Sequence, residues 1–245
     1  MSKGAVWYEQ GKRVQRLRRV KKVLPSGCKL HLYYDEHVLT ITPNVPTLIY
    51  DAKQYSVWYK PYGLLSQGSK WGDHCTLIRH AETTLTPQRQ AFVVHRLDRA
   101  AQGLMVIAHG KSAAATLSAQ FQDRKTSKRY HLLVAGEFSD QPVSCIEPID
   151  GKAASSHFER LRYNASNNES LLAVDIETGR KHQIRKHAQF LGHPIIGDRL
   201  YGNVDNNETR NLQLVSVNLG FDCPINGERK LFVLEPPLLE EGLAE

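Results

Sequence analysis

Phe92-Val93-Val94-His95-Arg96-Leu97-Asp98-Arg99 runs from a short apolar strand to a lone carboxylate between two guanidinium groups, and Leu104-Met105-Val106-Ile107 resumes as a second strand just after Gly103. The spacing places Asp98 on the loop that joins two strands. Positive charge beside an acid favours its ionised form, so Asp98 suits a nucleophile better than a proton donor. Taken alone, an Asp beside Arg reads as an ordinary surface ion pair.

Working outward, Tyr55-Ser56-Val57-Trp58-Tyr59 reads as the first strand of the main domain, closed by a turn at Lys60-Pro61-Tyr62-Gly63. Thr76 to Glu82 reads as a short helix, and Ser112 is placed to cap a helix running from Ala113 to Phe121. Tyr130 to Val134 forms a strand, as do Leu172, Val174 and Ile176, which alternate with Ala173 and Asp175. A helix is expected from Lys181 to Leu191, stopped by Gly192. Leu212 and Leu214 follow one phase of alternation, and Val215, Val217, Leu219 and Phe221 the other, which implies a bulge or two successive strands. Strands and helices do not alternate regularly. The pattern therefore predicts an α+β domain, with a mixed, largely antiparallel sheet flanked by helices.

The Pro-containing stretch Thr42 to Pro46 reads as a connector and puts a boundary near residue 50. The expectation is a basic N-terminal segment over 1–50, an RNA-binding element or partial auxiliary domain, followed by a catalytic domain over 51–245. Lys12, Arg13, Arg16, Arg18, Arg19, Lys21 and Lys22 are spaced by Val14, Leu17 and Val20, which suits one helical face or a basic ribbon. A turn at Pro25-Ser26-Gly27 then leads to strand-like alternation from Lys29 to Tyr34.

With 245 residues and 41% hydrophobic content, the chain can bury one sizeable core. A formal net charge of +7 favours a polyanionic partner. Cys28, Cys75, Cys145 and Cys223 lie far apart, without zinc-ligand spacing, which fits a reducing cytoplasm and no metal. No stretch approaches the ~18 apolar residues of a membrane span. His182 and His187 are five apart, the wrong spacing to ligate a metal from one helical face.

A second constellation runs Thr178-Gly179-Arg180-Lys181-His182-Gln183-Ile184-Arg185-Lys186-His187, followed by Leu191-Gly192-His193-Pro194, Gly197-Asp198 and Tyr201-Gly202. Such a helix can direct Arg185 inward while Arg180, Lys181 and Lys186 meet phosphates outside. The two constellations in this order resemble the RluA-type pseudouridine synthase family, which carries His-Arg-Leu-Asp-Arg with a following Gly-Leu, and Thr-Gly-Arg-x-His-Gln-Ile-Arg with a following Leu-Gly-His-Pro. Lys60-Pro61 with Gly63-Leu64, and Lys128-Arg129-Tyr130 with Gly136, extend the resemblance over residues 55 to 235. Ala100-Ala101-Gln102 and Lys181 depart from the commoner pattern, but remove no group that the chemistry requires.

The resemblance implies isomerisation of uridine in ribosomal or transfer RNA. Asp98 would begin the reaction, Tyr130 would stack on the flipped base and help remove the proton from ring carbon 5, and Arg185 would pair with Asp98. It places Arg96, Arg99, Arg180, Lys181, His182, Gln183 and Lys60 against RNA. It implies no cofactor, no metal and RNA rather than DNA as partner, while cysteine usage and hydropathy point to a cytoplasmic protein without a membrane, and a monomer is the default. A noncatalytic RNA-binding assembly factor that keeps the fold is the main alternative. A metal-dependent nuclease would need clustered carboxylates, whereas Asp98 has basic neighbours and Asp198 stands isolated in sequence.

Overall fold

The computed structural model describes residues 1–18, 23–202 and 208–235. Its elements in chain order are β1 (Val6–Gln10), β2 (Arg13–Arg16), β3 (Lys29–Leu32), α1 (Glu36–Thr40), β4 (Thr47–Asp51), β5 (Tyr55–Lys60), α2 (Leu77–Thr84), β6 (Phe92–Val93), β7 (Gln102–Ala108) and α3 (Lys111–Gln122). They continue as β8 (Ser127–Ala135), β9 (Val143–Cys145), β10 (Ser156–Asn164), β11 (Glu169–Ile176), α4 (Gln183–Phe190), β12 (Leu214–Asp222) and β13 (Arg229–Val233).

The large sheet has the order β4-β5-β7-β12-β8-β11-β10-β9, with β6 added to β7 and β13 to β12. Among the described residues its pairs are antiparallel except β7 with β12. This is the mixed, largely antiparallel α+β sheet expected from the sequence.

Strand periodicity distributes the core to both faces. On β5, Trp58 packs into one apolar cluster and Tyr55 with Val57 into another; on β7, Met105 and Ile107 part in the same way from Leu104 and Val106. The first cluster takes Leu77 and Ala81 of α2 and Ile184 and Ala188 of α4, and the second takes Ala113 and Leu117 of α3. Each fully buried Leu, Ile or Met contributes about 1.5–3 kcal/mol relative to exposure. Covering both faces also explains why β5 and β7 read as nearly continuous apolar runs.

The phase change near Leu214 is one strand, not two. Leu212 and Leu214 belong to the first cluster, and Leu219 and Phe221 to the second. Even and odd positions of one alternating strand face opposite sides in this way, and the register against β8 shifts by one residue between Ser216 and Asn218.

Three helix ends differ from expectation. Gly110, not Ser112, is the N-cap of α3, and it makes no side-chain capping bond. Thr76 caps α2, its hydroxyl accepting from the Arg79 amide at 3.1 Å. The helix expected from Lys181 begins at Gln183, because His182 takes a left-handed conformation with φ 57°.

The N-terminal strands form a separate antiparallel sheet, β2-β1-β3. The basic segment is thus a ribbon over Arg13–Arg16, and its part from Arg19 to Lys22 lies outside the described residues. Two of its cations turn inward. Arg16 pairs with Asp73 at 3.1 Å, and Arg18 pairs with Asp73 and reaches Glu82 at 3.9 Å. Strand β4 already belongs to the large sheet through β5, so the change of sheet falls between Leu32 and Thr47, ahead of residue 50.

Candidate active site

The Asp98 loop leaves β6 and enters β7, and polar contacts grip it on both sides. The Ser66 hydroxyl donates to the Leu97 carbonyl at 2.7 Å and accepts from the Leu97 amide at 3.1 Å, while the Gly63 amide donates to the Arg99 carbonyl at 2.9 Å. Leu97 itself is buried in the core. The neighbouring side chains of one short loop therefore divide by role: Leu97 anchors, Arg96 and Arg99 face solvent, and Asp98 faces a cleft.

His95 extends the pairing of β6. Phe92 and Val93 pair with Ala108 and Ile107, and the next amide of β7, Val106, donates to His95 Nε2 at 3.0 Å. The imidazole stacks on Phe121, centroids 4.3 Å apart. Burial, with a smaller push from Lys128, holds its pKa at about 3, so the ring is neutral and can accept that bond.

Gly103 seals the far end of the loop. Its φ is +112°, and a Cβ there would lie 2.3 Å from the Ser216 carbonyl oxygen, so only glycine lets β7 approach β12 so closely. Ser216 in turn pairs in register with Tyr130 of β8. The seam thereby sets Asp98 and Tyr130 on the same cleft, together with Arg185, Leu214 and Ile184.

Arg185, projecting inward from α4, joins two acids. Nε and Nη2 donate to the two oxygens of Asp198 at 2.7 and 2.6 Å, and Nη1 reaches Asp98 Oδ2 at 3.4 Å. Asp198 is fully enclosed and also accepts from the amides of Leu200 and Tyr201. Burial opposes its charge, yet the Arg185 and amide hydrogen bonds prevail and hold its carboxyl below the usual range. Asp198, isolated in sequence, is not isolated in space: the guanidinium grips it with two donors, and its remaining nitrogen makes the expected pair with Asp98.

A second path closes the circuit. The Tyr201 hydroxyl lies 2.9 Å from His182 Nδ1, and His182 Nε2 lies 3.7 Å from Asp98 Oδ1. Burial lowers the His182 pKa, Asp98 raises it in part, and Arg185 lowers it again. Asp98 itself is about one-quarter exposed, open to a substrate from above and constrained from below.

Two residues expected against RNA lie inside instead. Lys60 is fully buried, its ammonium donating to the carbonyls of Leu64 at 2.8 Å and Pro61 at 3.1 Å. Burial brings its pKa down to about 7, with Asp98 pulling the other way. Gln183 is also buried, and it links Thr178, Arg180, Ser155 and Ser156. These two stabilise the walls and offer no face to a phosphate. Arg96, Arg99 and Lys181 are exposed, while Arg180 and His182 are half-buried along the cleft. Lys186 reaches Asp150 at 2.9 Å.

Asp198 and Tyr201 are the site residues that sequence reasoning overlooked, although Gly197-Asp198 and Tyr201-Gly202 had been matched as motif. The signal available was a buried-type Arg without an assigned second partner. Gly197 reinforces the placement: at φ +75°, a Cβ would lie 2.2 Å from the Asn211 carbonyl oxygen.

A partly exposed carboxylate in a cationic cleft, held by a buried Arg-carboxylate pair on a mixed sheet, suits an enzyme that handles a polyanionic substrate. The RNA pseudouridylate synthase family model matches residues 54–190. The chain is 32% identical over 255 residues to an uncharacterized RNA pseudouridine synthase of Aquifex aeolicus, covering 91% of this chain and 80% of that protein. It is 33% identical over 209 residues to the dual-specificity RNA pseudouridine synthase RluA of Haemophilus ducreyi, covering 77% of this chain and 92% of that one. In fold it is similar to human RNA pseudouridylate synthase domain containing 1, with a TM-score of 0.67 and 23% identity over 81% of this chain and 88% of that one. The chain belongs to the RluA-type pseudouridine synthases: it is an isomerase that acts on RNA.

Proposed function

We propose that this enzyme isomerises selected uridines of ribosomal RNA, transfer RNA or both, with Asp98 as the group that begins the reaction. The observation that carries the reading is the Asp98 carboxylate, open to the cleft and 3.4 Å from the buried Arg185 guanidinium. Isomerisation breaks the bond from ring nitrogen 1 to ribose carbon 1, turns the base and rejoins it through ring carbon 5. The base must leave its stack, at a cost of a few kcal/mol, and stacking in the pocket offsets that cost.

Asp98 acts as an ionised carboxylate, either attacking the nucleotide covalently or taking a proton from the ribose, and Arg185 stabilises that charge. Tyr130 stacks on the flipped base. Burial, assisted by Asp98, raises its phenol pKa, so the ring enters neutral, which suits stacking. Once the bond to ring carbon 5 has formed, Asp98 is a free carboxylate again, its ester released or the ribose proton returned, and it can then accept the proton that leaves ring carbon 5 beside Tyr130. The reaction changes no oxidation state and transfers no phosphoryl group, so it needs neither metal nor cofactor.

Arg96, Arg99, Arg180, Lys181 and His182 border the RNA path, and the basic N-terminal segment ahead of β4 serves as an auxiliary RNA-binding element beside the catalytic domain, whose large sheet begins with β4 rather than at residue 51. The enzyme works as a cytoplasmic monomer on RNA, not DNA. Mapping pseudouridine in ribosomal and transfer RNA from cells with and without the protein tests this reading. One or a few sites should disappear without it; identical maps in both classes of RNA would refute it.

A further inference from the structure

Four cations, Arg96, Arg124, Lys128 and Arg180, meet at a cleft beside the Asp98 pocket whose lining holds one acid, Glu177. Arg96 and Arg180 border both spaces, Arg124 and Lys128 line only the outer one, and Phe121 and Ile176 supply an apolar wall. The cleft has a volume of about 440 Å³, within the range of about 300–1,000 Å³ that holds small ligands.

Several cations elsewhere are matched to carboxylates: Arg79 pairs with Glu82, Arg210 with Glu169 and Glu208, and Arg229 with Asp222. Among the described residues, Arg96, Arg124, Lys128 and Arg180 have no carboxylate within 4 Å, although Arg129, beside Lys128 in sequence, has Glu159 and Asp175. The acid on the rim, Glu177, is mostly exposed and lies 3.3 Å from His157. Lys128 is held below its ordinary pKa by burial and then by Arg124.

Arg124 also occupies an unusual backbone position. It follows the end of α3 at φ +59°, where glycine or asparagine is the low-cost residue. The helix end thus presents a long cation to the cleft where a small residue would suit the backbone better. Lys128 is half-buried beside the exposed Arg124, and a bound anion would relieve the repulsion between these like charges.

We propose that this cleft holds the nucleotide next to the target uridine, with its phosphodiester between Lys128 and Arg124 and its ribose or base against Phe121 and Ile176. The inference rests on the isomerase reading and adds a backbone anchor that fixes the RNA register relative to Asp98. Arg124 and Lys128 act on binding and need not touch the reacting atoms. A phosphate fits better than a free carboxylate ligand, because the cleft is continuous through Arg96 and Arg180 with the pocket for the flipped base.

The test is binding of a fluorescent hairpin RNA with an all-uridine loop to the full chain, wild type and Arg124→Gln/Lys128→Gln, across a salt series. Lys53→Gln/Lys230→Gln, which removes the same charge from positions outside the lining of the cleft, is the control, and thermal unfolding verifies that each variant is folded. The cleft variant should bind at least about tenfold more weakly, with a slope of log affinity against log salt flatter by roughly 1. Replacing each loop phosphate in turn by a neutral methylphosphonate should identify one position that weakens wild type and leaves the cleft variant unchanged. A loss no larger than the control's, or no such position, overturns the proposal. These readouts concern binding, so they are separate from the failure of the isomerase reading, which would be absence of pseudouridine formation by wild type.

Discussion

The Arg185 guanidinium spans two carboxylates, bonded to both oxygens of Asp198 at 2.7 and 2.6 Å and set 3.4 Å from Asp98. The firm bidentate contact lies on the enclosed side and the looser one on the side open to substrate. Asp198 therefore fixes the fork, and the fork presents one nitrogen to Asp98. An ammonium cannot divide its donors in this planar way. Arg185→Lys should retain RNA binding but lower single-turnover isomerisation by at least about 100-fold; a near-native rate would show that the guanidinium only packs the helix.

Asp198→Asn leaves that guanidinium buried beside a neutral amide. Removing one partner of a buried pair typically costs about 3–5 kcal/mol. The midpoint of chemical denaturation should fall accordingly, and isomerisation should fall beyond what the folded fraction explains, because Arg185 loses its orientation. A variant as stable and active as wild type would contradict this account of the pair.

Tyr201→Phe deletes the hydroxyl that lies 2.9 Å from His182 Nδ1 and leaves the ring 5.0 Å from the Arg185 guanidinium. Stability should change little. With the imidazole free to turn beside Asp98, kcat should drop by roughly threefold to tenfold at unchanged RNA affinity. An altered affinity with unchanged kcat would place Tyr201 on the RNA path instead.

His95 makes stability pH-dependent. Its folded pKa of about 3 lies below the unfolded value of about 6.5, so between those values the unfolded state binds more protons and stability rises with pH. The contribution is fully present above about pH 6.5 and is lost as pH falls, by ~2 kcal/mol at pH 5. Denaturation of wild type and His95→Asn from pH 7.5 to 5 should show the slope in wild type and a shallower one in the variant. Equal slopes would assign it to other groups.

At the N-terminus, the cations that looked like phosphate ligands divide. Arg16 and Arg18 are committed to Asp73 and hold the small sheet against the large body. Arg16→Gln/Arg18→Gln should speed proteolytic cleavage between the two sheets, and single-turnover chemistry at saturating RNA should hold. Unchanged cleavage would leave the contact without a structural role.

The fold was legible where periodicity acts locally. The apolar runs of β5, β7 and β8 and the alternation of β11 announced themselves, because each strand buries one or both faces of a continuous core. Long-range choices were hidden. Nothing around Lys60 reveals that its chain-entry turn folds under the Asp98 loop, and nothing around Gln183 reveals that its amide faces Thr178 and Ser156. The pairing of Arg185 with Asp98 was legible, but its second partner was not: two carboxylates reach one guanidinium, and local sequence does not say that Asp198 takes both forked donors. Helix ends were the least legible, since His182 enters α4 through a left-handed turn that a β-carbon normally disfavours.

The central claim is that the Asp98 charge begins the reaction. Asp98→Asn keeps size and hydrogen-bonding capacity and removes that charge, so binding should survive while turnover falls by at least about 10⁴, or ~5.5 kcal/mol of barrier. The measurement is release of tritium from uridines labelled at ring carbon 5, because rejoining through that carbon expels its hydrogen. Wild type should release label from intact RNA without added metal or nucleotide, and Asp98→Asn should release essentially none on the same timescale. Release by Asp98→Asn at a rate comparable to wild type would contradict the account.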